Sequence, residues 1–87
     1  MRNIADLKVG KITHYFDKIG VAVVELADSL SFGDLIKISG NQGEFEQKVA
    51  SMQVEHQQVQ LAQKGQAVGL KVDQKVYPGD IVLRAQS

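Results

Sequence analysis

Apolar and polar positions along the chain come in short alternating bursts separated by glycine and aspartate, the rhythm of strands and tight turns. Residues 7–16 form the first burst. Leu7 and Val9 share one parity while Ile12, His14 and Phe16 share the other, so the inward face changes near Gly10, where a β-bulge would produce the switch. Asp17-Lys18-Ile19-Gly20 reads as a hairpin turn. Val21-Ala22-Val23-Val24-Glu25-Leu26 follows as a β-branched run bounded by turn signals, which favours a strand over a helix. Leu30-Ser31-Phe32-Gly33-Asp34-Leu35-Ile36-Lys37-Ile38 is an apolar lead-in, a tight turn and an alternating strand, and it returns as Val76-Tyr77-Pro78-Gly79-Asp80-Ile81-Val82-Leu83. Gly33 and Gly79 can supply a positive φ, and Asp34 and Asp80 can accept bonds from nearby backbone amides and hold each turn closed. Two such corners, each launching a β-branched run, predict a small barrel. Gly40-Asn41-Gln42-Gly43 is a further tight turn, residues 66–72 alternate as a strand, and residues 81–84 close the sheet.

Residues 44–63 support two readings. Phe45, Val49, Met52, His56 and Val59 fall at steps of four, three, four and three, a helical stripe with no Gly or Pro inside it. The alternative is a strand over 45–52 continuing through Gln53 and Val54, a polar connection at 55–58, and a short turn of helix marked by Val59, Ala62 and Gly65.

Composition narrows the class. Eighty-seven residues with an ordinary apolar fraction predict one folded domain, residues 1–6 leading into it and Ile4 available for packing. The absence of cysteine excludes disulfides and thiolate metal sites. No apolar run reaches the length of a membrane span and no signal segment precedes Asp6, so the expectation is a cytoplasmic protein without a membrane partner. Net charge is zero but uneven. Residues 1–18 carry a balance of +2, residues 25–55 a balance of −4, and residues 64–84 again +2. If the chain ends meet in space they make a weakly basic face.

Candidate chemistry is sparse. The serines, Thr13 and the two histidines lie in no nucleophile-elbow motif, and the neighbours Thr13 and His14 point to opposite faces of a strand. Two histidines without paired acidic ligands do not make a metal site, and no catalytic residue or cofactor is expected. His14, followed by Tyr15, offers a stacking or hydrogen-bonding position for a base or a peptide; the plainer alternative is a half-buried strand histidine beside a surface tyrosine. Lys11, Lys18, Lys71, Lys75 and Arg84 are candidates for an RNA-facing or acid-facing surface, or equally an ordinary solvated face. Gly40-x-x-Gly43 shares its spacing with the backbone-clamping loop of KH domains, but that loop must follow a helix and residues 34–38 read as a strand, so a polar hairpin turn is the better reading.

The order of these signals resembles the β-barrel second domain of translational GTPases such as elongation factor Tu. The resembling series is Val9-Gly10-Lys11-Ile12, residues 21–26, Leu30-x-x-Gly33-Asp34-x-Ile36-x-Ile38, Val49-x-Ser51-Met52, Val59-x-x-Ala62-x-x-Gly65-x-x-Val68-Gly69-Leu70, and Pro78-Gly79-Asp80-Ile81-Val82. It is similar to free-standing translation elongation factor-like proteins and to the C-terminal barrel of collagenase-like peptidase family proteins. The resemblance implies an all-β, closed six-stranded Greek-key barrel and favours strand over helix at 44–53. No Gly-Lys-Ser/Thr phosphate loop is present, so nucleotide binding is not implied. The function it implies is a non-enzymatic binding module that contacts RNA or a ribosome- or tRNA-linked assembly. The alternative is a protein-interaction adaptor acting in trans for a catalytic partner.

Overall fold

The structure, a computed structural model, describes residues 6–41 and 43–85. The lead-in expected at 1–6, including Ile4, lies outside these residues apart from the backbone of Asp6. The described chain is all β, with no helix among the described residues. Its strands are β1 (Asp6–Phe16), β2 (Val21–Leu26), β3 (Leu30–Ser31), β4 (Leu35–Gly40), β5 (Gly43–Lys48), β6 (Met52–Val54), β7 (Gln57–Gln58), β8 (Leu61–Ala62), β9 (Ala67–Lys71) and β10 (Ile81–Ala85).

One face of these strands is apolar and faces inward. Val9, Ile12, Val24, Ile36, Val68, Leu70 and Val82 are fully buried, and Leu30 and Ala62 of the β3–β8 pair join them. Alternation does this work along β2 and β9, where every second residue is buried, and along β4 at Ile36 and Ile38. In β1 the parity changes twice. The register against β10 shifts between Lys8 and Gly10, and a Cβ on Gly10 would fall 2.7 Å from Val24 Cγ1 and 2.8 Å from the Glu25 carbonyl oxygen, so the close approach admits only glycine. A second shift against β2 lies between Ile12 and His14. It overturns the expected inward parity of His14 and Phe16: both are exposed, and Tyr15 packs against the core instead.

The two Gly-Asp corners are structural copies. Gly33 has φ +87° and Gly79 has φ +97°. Asp34 Oδ2 accepts from the Ser31 amide at 2.9 Å, and Asp80 Oδ2 accepts from the Tyr77 amide at 3.0 Å. Each corner also exchanges a pair of backbone bonds with one buried residue. Gly33 N donates to Val49 O and Val49 N to Asp34 O, at 2.8 and 2.9 Å. Gly79 N donates to Ile12 O and Ile12 N to Asp80 O, at 2.7 and 2.8 Å. Asp80 also lies against Gly40, where an added Cβ would overlap its carboxylate.

The closed six-stranded barrel is not what forms. Eight strands make one open sheet in the order β5-β4-β10-β1-β2-β9-β6-β7, and β3 and β8 make a separate pair. The ends of the large sheet are a six-residue strand, β5, and a two-residue strand, β7, which leaves no matched ladder to close. Gln47 of β5 is buried, and its side-chain amide ties that strand to the end of β9: Nε2 donates to Lys71 O at 2.9 Å, and Oε1 accepts from Asp73 N at 2.8 Å. These bonds also satisfy the polar group that burial would otherwise leave unpaired.

Residues 44–63 are extended. The helical stripe fails because Val49, Met52 and Val59 reach the core from different strands and connections. The strand expected over 45–52 is broken at residues 49–51, where Val49 docks on the first corner. The turn of helix expected near Val59 and Ala62 is replaced by β8 and a turn with Gly65 at φ +90°. Glu55 and His56 join β6 to β7 as a two-residue turn with φ +52° and +67°, the left-handed pair such hairpins require.

Candidate interaction face

The side of the sheet opposite the core is built by register. Gln53, Gly69, Val23 and His14 lie side by side across β6, β9, β2 and β1. Lys71, Val21 and Phe16 make the row on one side of it, and Ala67, Glu25 and Lys11 the row on the other. The middle of this face is apolar, which is unusual for an outer sheet surface. Phe16 is 46% exposed and Ile19, in the β1–β2 turn, is 60% exposed. The His14 and Phe16 rings touch, with centroids 4.3 Å apart. Between Phe16 and Ile19 on one side and His56 on the other runs an open groove of about 370 Å³, floored by Val21, Val23 and Gly69.

Of the residues singled out from sequence, Lys11, His14 and Lys71 fall in the rows of this face, while Tyr15, Lys75 and Arg84 do not. His14 and Lys18 are exposed at the turn end of β1, and Tyr15 is half-buried against the core, the reverse of the expected histidine–tyrosine arrangement. Lys71 Nζ donates to the Ile19 carbonyl at 3.2 Å, which fastens it to the β1–β2 turn. Lys75 sits over the Tyr77 ring, 5.3 Å from its centroid, beside the second corner. Arg84 is half-buried and donates from Nη1 to Ser29 O at 2.5 Å. Lys11 lies opposite Glu25. Lys75 and Arg84 thus lie outside the rows that hold Lys11 and Lys71. Gly10, Gly33, Asp34, Gly40, Gly43, Pro78, Gly79 and Asp80 all sit at the bulge or in turns, away from the groove.

Ile19, Val21, Val23, Gln53, His56 and Gly69 were not among the sequence candidates. A signal for them exists in residues 21–24. That run is apolar at both parities, so a strand built from it has an apolar outer face as well as an inner one.

Nucleophile chemistry has no assembled geometry here. Thr13 Oγ1 donates to the Val23 carbonyl at 3.4 Å, and His14 contacts a ring. Among the described residues no group of three or more His, Cys, Asp or Glu gathers to hold a metal ion. Among the described residues no helix is long and apolar enough to cross a membrane.

No protein-family model matches the chain. An uncharacterized protease of Methanocaldococcus jannaschii is 39% identical over 77 residues, covering 87% of this chain and 19% of that protein. A collagenase of Porphyromonas gingivalis is 41% identical over 78 residues, covering 87% of this chain and 22% of its own length. The chain thus spans about one-fifth of the curated relatives it matches. In fold it matches the crystal structure of the C-terminal domain of a Geobacillus thermoleovorans protein described as a U32 peptidase, with a TM-score of 0.84 at 21% identity over 90% of this chain and 91% of that one. The selenomethionine variant of the same domain gives 0.82. These findings overturn the reading as a translation-factor module that binds RNA: the ordered series of turns and strands is shared with peptidase-type proteins. The chain is similar to the β-rich C-terminal domain of U32 peptidase and collagenase-like proteins.

Proposed function

We propose that the chain is a peptidase-associated domain of the U32 and collagenase-like type, supplying an interaction surface and no catalytic groups of its own. One observation carries this reading. The sequence match runs over nearly the whole of this chain but only about one-fifth of each relative, so it corresponds to one part of a larger peptidase-type protein. The scattered hydroxyls and histidines support the non-catalytic half of the reading, because hydrolysis needs a nucleophile and a base in mutual reach.

A segment exchange tests it. The matching segment of the Porphyromonas gingivalis collagenase is deleted, and in a second protein replaced by residues 1–87 of this chain. The expected result is that deletion impairs cleavage of the collagenase's substrate, the exchange restores it, and the isolated chain cleaves nothing. Hydrolysis by the isolated chain, or an exchange no better than the deletion, overturns the reading.

A further inference from the structure

We infer that the outer face of β1, β2, β9 and β6 is the docking surface for the peptidase portion of a U32-type protein, with Gly69 as the floor of the contact. This rests on the peptidase-associated reading above. Gly69 is the pivotal residue. It lies inside β9 between the buried Val68 and Leu70, so its missing side chain belongs to the outer face. Most glycines here have a local reason: a positive φ at Gly33, Gly65 and Gly79, a close approach at Gly10 and Gly40. Gly69 has neither. It takes no positive φ, and a Cβ there would meet Val21 Cγ1 at an ordinary 3.5 Å. A strand-interior glycine weakens its strand and often marks a bulge, a tight bend or a close approach of a ligand or another backbone. The β2–β9 register runs unbroken through Gly69, which favours the close approach.

The surroundings specify the occupant. Across the central row, Gln53, Gly69, Val23 and His14 carry no lysine, arginine or carboxylate, while Lys71, Glu55 and Glu25 lie at the margin. The groove floor of Val21, Val23 and Gly69, with Lys71, Glu55 and Glu25 around it, matches the apolar centre and charged rim of a protein–protein contact. A phosphate backbone would need cations where the floor has none. The groove is open along its length, which suits a protruding apolar side chain of a protein surface. In the relatives, about four-fifths of the protein lies outside the segment matching this fold, and the peptidase portion is the surface available to cover the face.

The test places a photo-crosslinking amino acid at Ile19, in the full chain expressed in its native cells, with Glu46 on β5 as the control position. The expected result is an adduct at position 19, and none at 46, whose peptides derive from the peptidase portion of a U32-type protein, in the same or another chain. Gly69→Val and Gly69→Ala should each fold with a Tm at or above the parent's and reduce that adduct at least several-fold. Adducts at 46 with none at 19, or an undiminished adduct in both Gly69 variants, sink the docking face and leave the peptidase-associated reading standing. An adduct with a second copy of this chain, with RNA or with an unrelated protein, or no peptidase adduct at either position, overturns the docking assignment. The segment exchange then decides the broader reading.

Discussion

The two faces of β1, β2 and β9 are made by the same residues in alternation, yet they answer to different demands. Inward, Ile12, Val24, Val68 and Leu70 are fully buried against one another, and their identity follows from packing alone. Outward, Phe16 is exposed, Val21 and Val23 are apolar and only half-buried, and Gly69 is bare without being crowded. Folding explains the first set and not the second. Residues that a fold does not require are where a functional reading has its best footing.

Mutations should separate the faces by size of effect. The largest falls inward: Leu70→Ala removes a fully buried side chain at the junction of β2, β9 and β6, and should cost about 2–5 kcal/mol in denaturant unfolding. Gly10→Ala puts a methyl against Val24 and the Glu25 carbonyl, and should cost about 1–3 kcal/mol. Equal stability there would mean the bulge can relax. At the corners, Asp34→Ala and Asp80→Ala each leave one turn amide without its carboxylate, at a cost of about 1 kcal/mol each, and the two should add because the corners dock on different residues. His56→Gly acts in the other direction, relieving a left-handed residue and stabilising by about 1 kcal/mol. Ile19→Asp should change stability by less than about 0.5 kcal/mol, since the side chain is exposed. A large loss there would show that the outer face also holds the fold together.

The inner face was legible because period-two alternation and Gly-Asp turns are local signals. Gly33, Asp34, Gly79 and Asp80 announce two corners, and the parity change near Gly10 announces the bulge. The second bulge, between Ile12 and His14, has no glycine or proline to mark it, and missing it exchanged the roles of His14 and Tyr15. The stripe at 44–63 failed for a related reason: Phe45 and Met52 from strands and Val49 and Val59 from connections reach the core at helical spacing without a helix. Sheet closure was beyond local signals, since it depends on whether β5 and β7 can meet, and Gln47 gave no hint that its amide ties β5 to the end of β9. Lys71, Lys75 and Arg84 counted as a basic cluster along the chain, but a turn carbonyl, a ring and the Ser29 carbonyl each hold one of them in the fold.

The most direct measurement sets the two faces against each other in one protein. Gly69→Val is introduced into the Porphyromonas gingivalis collagenase carrying this chain in place of its own segment, and thermal unfolding of the isolated variant chain is recorded beside the activity of the exchanged enzyme. The account predicts an unchanged or higher Tm together with loss of the activity that the parent exchange restores. Full activity at an unchanged Tm would contradict it.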